Sequence, residues 1–396
     1  MKKKNIIKIL LVILSIVLIW FIFNEIKVIR NWDSEINLSK ITYKKNGYNR
    51  IKYTNFLGIT VIDGDDYEYL GTFSEGLIAA KKDNKLGYLD TKGKLAIDFQ
   101  FSDGIRIGNF SEGMACVYKN GKWGYIDVHG NLIIDYQYYD AHDFSNGLAK
   151  VKNERYSGSY GFIDKNGDLI IDYQYHDAND FSEGLSFVCS EMDGKYGFID
   201  TKGNLVIDYQ FDKSIWDSNY SGYFNEGLAG VKKNGKYGFI DTKGNLIIDY
   251  LYDDIGVFSE GLVRVKKNEK WGYIDKSGNV VIDFQFDETY RFSDGLARVG
   301  KFSKYDNMNP VYKYGYVNRN GKLVIPCEYD SGTNFENGTA DVYINGDKIE
   351  ICKNGWYVRD VISVGIIIFV ILISIAGGIL IRLRNKKESR SNNEEN

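Results

Sequence analysis

The sequence predicts an all-β protein of tandem repeats, in which blade-like antiparallel units stack as a propeller or as an open β-superhelix. Two observations carry this prediction. A unit of about 34 residues recurs from residue 73 to residue 338, and the chain has 42 glycines but only 2 prolines. Self-similarity at a fixed period of this length is typical of solenoids and propellers. Glycine must therefore provide most of the turns.

Each copy of the unit has three recognisable blocks. An opening phenylalanine begins a short turn motif, an aromatic–glycine pair lies in the middle, and a glycine, aliphatic residues and an aspartate close the copy. Successive opening phenylalanines are 34 to 43 residues apart, so the longer steps contain insertions. They are Phe73, Phe110, Phe144, Phe181, Phe224, Phe258, Phe292 and Phe335.

The copy from Gly227 to Tyr250 shows which elements the blocks form. Asn234-Gly235 predicts a tight hairpin, because both residues tolerate positive φ. Gly244 marks a second turn. The predicted strands of this copy are 228–232, 237–240 and 246–248, with a short fourth strand near 254–257 in the crossing to the next copy.

The second and third strands of this copy are apolar on both faces. Phe239 and Ile240 point to opposite faces, as do Ile247 and Ile248. A strand with two apolar faces is expected to be buried on both, so we expect the sheets to stack face to face. Gly238 would then let a neighbouring sheet or ring approach closely.

The two ends of the array look like incomplete copies. Residues 61–63 resemble a third-strand block without its predecessors, and residues 340–353 resemble the first two strands. Incomplete terminal copies are expected of a repeat array. Alternatively, the two partial copies complete one sheet and close a ring of eight.

The motifs resemble those of the bacterial WG-repeat family. The resemblance rests on Phe-Ser-Glu-Gly-Leu at 258–262, Lys-Trp-Gly-Tyr-Ile-Asp at 122–127 and 270–275, and Gly-Asn-Val-Val-Ile-Asp at 278–283. It covers about residues 60–357. It implies a β-repeat domain that is often at the cell surface, and it supplies no common activity and no catalytic residue.

Two apolar runs flank the array and predict two transmembrane helices. Residues 6–24 contain one charge, Lys8, and residues 361–381 contain none. At about 1.5 Å per residue, both are long enough to cross a bilayer core. A cleaved signal peptide is the alternative for the first run, but no small-x-small motif follows it.

Basic residues predict the orientation of the two helices in the cell membrane. They are concentrated in the tails 1–5 and 382–396, on the distal side of each run, so both termini are expected to be cytoplasmic. The segment 25–59, a juxtamembrane stretch with a degenerate first repeat, and the repeat domain 60–357 are then extracytoplasmic.

Composition and motifs argue against nucleic-acid binding, cofactors and catalysis. The formal net charge is −3, of which residues 1–30 contribute +5 and residues 360–396 +1, which leaves −9 for the array. No Walker loop, GxSxG or HExxH motif and no cysteine or histidine ligand pattern is present, so we expect no enzyme and no metal. Aspartates recur in register, and we interpret them as turn-bonding rather than calcium ligands. They include Asp127, Asp164, Asp200, Asp241 and Asp275.

Insertions are the best candidates for a binding surface, since most tyrosines occupy repeat positions. They lie at 153–159, 213–222 and 300–310, where extra loop length without a role is the alternative. Two insertions follow first strands and one follows a third strand, which can place them on opposite rims. The predicted binding residues are Trp216, Tyr220, Arg155, Tyr156 and Tyr305.

These features predict a membrane-tethered extracytoplasmic module that binds an unidentified protein, peptide or envelope glycan. A structural or spacer protein of the envelope is the alternative, and a hydrolase built from loops is a remote one.

Overall fold

The computed structural model describes residues 32–33, 38–45, 48–55, 59–102, 108–154, 158–191, 194–212, 221–306 and 308–355. Within this part of the chain, 34 strands form nine small antiparallel sheets, and the only helical element is a 3-10 turn at Gly64–Asp66. Neighbouring strands in each sheet are also neighbours in the sequence. The prediction of an all-β repeat protein is confirmed.

The strands are short, and the nine sheets follow one another along the chain. Sheets one to three contain β1 (Trp32–Asp33), β2 (Leu38–Lys45), β3 (Tyr48–Thr54) and β4 (Thr60–Asp63); β5 (Tyr69–Ser74), β6 (Leu77–Lys82), β7 (Lys85–Asp90) and β8 (Leu95–Phe101); and β9 (Met114–Lys119), β10 (Lys122–Asp127) and β11 (Leu132–Tyr138). Sheets four to six contain β12 (Asp140–Ala141), β13 (Ala149–Lys152), β14 (Tyr160–Ile163) and β15 (Leu169–Tyr175); β16 (Asp177–Ala178), β17 (Leu185–Cys189), β18 (Tyr196–Asp200) and β19 (Leu205–Phe211); and β20 (Phe224–Asn225), β21 (Leu228–Lys233), β22 (Lys236–Asp241) and β23 (Leu246–Tyr252). Sheets seven to nine contain β24 (Asp254–Ile255), β25 (Leu262–Lys267), β26 (Lys270–Asp275) and β27 (Val280–Phe286); β28 (Glu288–Ser293), β29 (Leu296–Asp306), β30 (Asn309–Asn318) and β31 (Leu323–Tyr329); and β32 (Ser331–Gly332), β33 (Thr339–Ile344) and β34 (Asp347–Cys352).

The sixth sheet shows how one copy of the repeat folds. We name the strands of a sheet a, b, c and d in chain order, and here they are β20 to β23. The three strands predicted from the sequence are b, c and d, and the turn between b and c has positive φ at Asn234 (52°) and Gly235 (80°), as predicted. The short strand predicted near 254–257 is β24, which opens the next sheet as its strand a.

The first sheet is more complete than the sequence suggested. Residues 32–63 form four strands before Phe73, although the sequence showed only the third-strand block at 61–63 and a degenerate repeat within 25–59. The Tyr53–Ile62 pair of this sheet corresponds to the Phe239–Ile248 pair of the sixth sheet, so Lys52 occupies the position of the central glycine. The aromatic–glycine motif is therefore absent from the sequence of the first sheet. The ninth sheet has strands a to c. The first and last copies therefore form two separate sheets. For the described residues, the alternative in which two partial copies complete one sheet of a ring of eight is wrong.

Each sheet presents two rims. Because neighbouring strands are antiparallel, the a–b and c–d turns lie at one end of a sheet. The b–c turn and the crossing to the next sheet lie at the other end. We call these ends the first rim and the second rim. In the sixth sheet, Glu226 and Gly244 lie on the first rim, and Asn234 and Asp253 lie on the second.

Eight clusters of buried side chains join the nine sheets in sequence, each between two consecutive sheets. Between sheets six and seven, the ring of Phe239 lies edge-on to that of Phe258, with centroids 5.2 Å apart. Ile240 is buried on the opposite face, against the fifth sheet. The predicted burial of both faces is confirmed for strand c.

Strand d departs from that prediction. Ile248 is 4% exposed, whereas Leu246 and Ile247 are each 44% exposed. Strand d is the outer edge of the sheet, and the next copy packs on its third residue: a Cβ on Gly278 would lie 3.5 Å from Ile248 Cγ1. The expectation that Ile247 is buried is wrong, and each such copy leaves an aliphatic pair in solvent.

The central glycine makes room within its own sheet. A Cβ on Gly238 would lie 2.6 Å from the carbonyl oxygen of Ile248. Strand d bulges at this point, since Tyr237 faces Tyr252 whereas Phe239 faces Ile248. The glycine therefore admits the bulged outer strand, and the predicted approach of a neighbouring sheet is not the cause.

Candidate functional site

The insertions of the repeat emerge at one rim. Those at 153–159 and 300–310 join strands b and c of the fourth and eighth sheets, and the one at 213–222 follows strand d of the fifth. Both kinds of connection belong to the second rim. The described residues that flank them, such as Lys152 and Phe211, therefore lie on the same side of the array, and the opposite-rim alternative is wrong.

The structure describes one of the five predicted binding residues. Trp216, Tyr220, Arg155 and Tyr156 lie outside the described residues, so their part in a site stays a prediction. Tyr305 lies near the tip of the β29–β30 hairpin and is 69% exposed.

The β29–β30 hairpin projects from the second rim of the eighth sheet. Its strands run from Leu296 to Asp306 and from Asn309 to Asn318, whereas in the sixth sheet strand b ends at Lys233 before a two-residue turn. The hairpin is mostly buried up to Gly300, and residues 301–306 are exposed. At about 3.4 Å per residue, it extends roughly 17 Å beyond the shorter turns.

The hairpin carries a group of exposed apolar side chains that sequence reasoning identified only in part. Phe302 is 45% exposed and Met308 is 93% exposed. The Phe302 ring centroid lies 4.9 Å from that of Tyr305 and 6.4 Å from that of Tyr312. Aromatic residues and methionine are enriched at the centres of interfaces. The sequence shows the insertion at 300–310 but not which of its side chains lie beyond the sheet.

The base of the hairpin is fixed to the preceding sheet. The backbone N–H of Phe302 donates a 2.7 Å hydrogen bond to Asp287, and Asp287 also pairs with Lys270 of its own sheet. One sheet earlier, the N–H of Asn268 donates to Asp253 in the same way, at 2.9 Å. A pre-ordered base lowers the entropic cost of binding at the tip.

These contacts lower the pKa of the aspartates on the second rim. The hydrogen bond from Lys236 holds the pKa of Asp253 below its usual value, and the N–H of Asn268 acts in the same direction against burial. The pKa of Asp330 is lowered first by Lys313 and then by the N–H of Asn345. Asp253 and Asp330 therefore stay ionised at pH values at which an ordinary aspartate would already take up a proton.

Sequence reasoning missed a charged cluster between the fourth and fifth sheets. Lys150 is buried, donates a 2.6 Å hydrogen bond to the carbonyl oxygen of Ala178, and places Nζ 3.8 Å from Asp180. His142 Nδ1 lies 3.2 Å from Asp180, and its Nε2 lies 3.5 Å from Asp140. Because opposite charges face each other, we interpret the cluster as a link between sheets. The sequence signal that could have revealed this cluster is Lys150 itself, because it lies within strand β13 at a position that faces the interior of the array.

The described part of the chain contains no group of three or more His, Cys, Asp and Glu side chains that could hold a metal ion. Asp241 accepts the backbone N–H groups of Lys243 and Asn245, which confirms the predicted turn-bonding. None of the four cysteines forms a disulfide.

No helix among the described residues is both long enough and apolar enough to cross a bilayer. The two runs predicted as transmembrane helices, 6–24 and 361–381, lie outside those residues. Both spans therefore stay predictions.

Stacked four-stranded sheets with an extended hairpin on one rim define a tandem β-repeat module of the binding or structural class. The chain belongs to the family of the WG containing repeat, which confirms the resemblance. The repeat matches residues 60–85, 87–123, 123–155, 160–196, 196–237, 237–271, 271–305 and 314–346. Four of the eight matches run from strand c of one sheet to strand c of the next, so the sequence repeat is shifted relative to the sheet.

Solved structures of similar fold include a eukaryotic initiation factor, with a TM-score of 0.53 and 10% identity over 81% of this chain and 89% of that one. Citrobacter koseri AztD has a TM-score of 0.39 and 12% identity, over 76% of this chain and 93% of that one. Virginiamycin B lyase from Staphylococcus aureus has a TM-score of 0.34 and 14% identity, over 72% and 94%. At 10% identity, the first likeness shows a shared fold alone. The comparison with curated proteins gives no match.

Proposed function

We propose that the protein is a membrane-tethered, extracytoplasmic binding module that presents its second rim to a protein, a peptide or an envelope glycan. The β29–β30 hairpin carries this proposal. No other described b–c hairpin has strands of 11 and 10 residues. The extra length exposes Phe302, Tyr305 and Met308, which the fold does not need, since Asn234-Gly235 closes the same connection in the sixth sheet.

Tethering is supported by the apolar runs at 6–24 and 361–381 and by their basic flanks. The described chain ends at Gly355, where a Cβ would lie 3.5 Å from Ile325 Cγ1, as in the other c–d turns. Gly355 therefore lies on the first rim, and five residues, 356–360, separate it from the second run. If this run spans the bilayer, the first rim faces the membrane and the hairpin points away from it.

We infer further that the nine sheets close as a propeller. Thr54 follows Tyr53 and so points away from the second sheet, yet it is 1% exposed. Thr339 precedes Ala340 and points away from the eighth sheet, yet it is 3% exposed. Burial also raises the pKa of Glu350 on the same outward face. Two polar end faces that cover each other account for this burial, whereas the ends of an open superhelix would be solvated.

Shortening the hairpin tests the binding role. Replacing residues 302–312 with Asn-Gly reproduces the turn of the sixth sheet and leaves an N–H for Asp287, so the fold should be retained. Full-length protein with the native hairpin is expected to capture an envelope component from detergent-solubilised membranes, and the shortened protein is expected to lose it. Tyr69→Ala is the matched control, because Tyr69 is 44% exposed on another sheet.

Equal capture by the shortened protein and by the native protein would show that the hairpin is not part of the binding surface. Capture of no component by either protein would instead favour a structural or spacer role in the envelope, since eight similar interfaces make a regular body that needs no ligand. The proposal assigns no catalytic activity and no cofactor to the array.

A further inference from the structure

We propose that the first rim rests on the surface of the lipid bilayer through a band of exposed aliphatic side chains. The band consists of the first two residues of strand d in consecutive sheets. All are Leu, Ile or Val, and each is between 37% and 49% exposed. In sheets three to seven, these pairs are 132–133, 169–170, 205–206, 246–247 and 280–281.

The pairs form a band because each sheet packs on the rim of the one before it. A Cβ on Gly278 would lie 3.5 Å from Ile248, and one on Gly244 would lie 3.2 Å from Ile207. Each of these turns leads directly into the next aliphatic pair, such as 280–281. Single exposed aliphatic residues are ordinary, but an apolar pair repeated on the same rim of five consecutive sheets marks a surface that binds something.

Charges are arranged around the band as a bilayer surface requires. The c–d turns, at the edge of the rim, carry exposed lysines such as Lys243. Behind each pair, farther from the rim, lies an exposed aspartate such as Asp249. The glutamates of this rim are engaged by the array itself: Glu226 pairs with Lys276 at 3.1 Å and Glu112 with Lys165 at 3.4 Å, contacts that also occupy these two c–d-turn lysines. The remaining turn lysines, such as Lys243, can therefore meet anionic headgroups, while the aspartates behind the pairs, such as Asp249, stay in water.

The chain also leaves the array at this rim. Residues 356–360 reach at most about 18 Å when extended, and the apolar run 361–381 follows them. This step rests on the proposed function, because it requires that the run spans the membrane. A tether this short keeps the rim at high effective concentration near the bilayer, which favours the lipid surface over a soluble partner or a second copy.

Depth-dependent quenching tests the proposal on the full chain. The protein is reconstituted in vesicles of phosphatidylcholine and phosphatidylglycerol, with Cys327→Ser and Cys352→Ser and the two buried cysteines retained. An environment-sensitive thiol probe is placed at Ile247→Cys or at Leu251→Cys. Both positions lie in β23 and are 44% and 47% exposed, but they are about 13 Å apart along the strand. The protein without an added cysteine gives the background.

Lipid-attached quenchers are expected to reduce the signal at position 247 at least twofold more than at position 251. Equal, weak quenching at both positions in vesicle-bound protein would overturn the lipid contact and leave the tether intact. Protein that does not float with the vesicles would overturn both proposals. Probe self-quenching at position 247 without lipid quenching would show that a second copy covers the band, and would equally overturn the bilayer contact.

Discussion

Gly238 lies so close to Ile248 that a Cβ on the glycine would be 2.6 Å from the isoleucine carbonyl oxygen. The central glycines of sheets two to eight all show this approach, at 2.4 to 2.7 Å. In the ninth sheet the same position holds Ile349, which faces Val342 as Gly238 faces Val231. No strand d follows it among the described residues. The first sheet has Lys52 at this position and still has a strand d, but its pairing shows no register shift between Lys52 and Tyr53. The glycine of the aromatic–glycine pair is therefore the residue that admits the bulge of the outer strand.

Gly238→Ala should destabilise the array by about 1–3 kcal/mol, because the added methyl group meets backbone that cannot move without breaking the c–d pairing. Thermal or denaturant unfolding of the purified protein measures the change. Lys243→Ala, at an exposed turn of the same sheet, is the control and should leave the midpoint unchanged. An unchanged midpoint for Gly238→Ala would refute the explanation of the glycine.

Phe239→Ala should cost about 3–5 kcal/mol, since it empties a buried site that contacts the next sheet. Ile247→Ala, on the adjacent strand but 44% exposed, should cost less than about 1 kcal/mol. Urea unfolding of both variants gives the comparison. Similar losses for the two would show that the outer strand is covered, contrary to the exposure described above.

Asp253→Asn should lower the thermal midpoint slightly at neutral pH, because the contact with Lys236 loses its charge. Folding depresses the pKa of Asp253, so the stabilisation that its carboxylate contributes is fully present at pH values above its unfolded-state pKa of about 4. It is lost as the pH falls through the lower folded-state value. The difference between variant and native midpoints should therefore shrink below pH of about 4. A difference between the midpoints that grows on acidification would show that the ionised Asp253 does not stabilise the fold through Lys236.

Deleting residues 227–260 tests whether the propeller is closed. The deletion joins Glu226 to Gly261 and so restores a Glu-Gly turn. A closed ring of nine sheets should lose cooperative unfolding across the whole array, because the missing sheet opens the seam between the first and last sheets. A stable, cooperatively unfolding domain of eight sheets would instead favour an open superhelix, whose stability depends on nearest neighbours.

The repeat period and the strands b and c could be predicted from sequence, because their side chains are fixed by contacts that recur in each copy. The Asn234-Gly235 turn and the burial of Phe239 and Ile240 follow from local chemistry and alternation. The exposure of Ile247 could not be predicted, since an aliphatic pair looks the same at an outer edge and in a core. A degenerate first repeat was expected within 25–59, but its strands could not be placed, because Lys52 replaces the diagnostic glycine.

The site could be predicted only where it departs from the repeat. Tyr305 was found because the insertion breaks the period, but Phe302, Met308 and Tyr312 became candidates only when the strands showed which side chains lie beyond the sheet. The shared rim of the three insertions follows from antiparallel pairing of the three predicted strands alone, because the first and third strands of such a set run in the same direction and end at the same rim. Long-range pairs such as His142 with Asp180 have no local signature.

The central claim is that the array is extracytoplasmic, tethered at both ends, with the hairpin exposed. Single cysteines at Lys3→Cys, Ser391→Cys and Tyr305→Cys test it most directly in intact cells, in protein that carries Cys327→Ser and Cys352→Ser, with a membrane-impermeant thiol reagent. We expect labelling of Tyr305→Cys in intact cells, and labelling of the two tail positions only after the cells are opened. Labelling of the tails in intact cells, with Tyr305→Cys protected until lysis, would contradict the account.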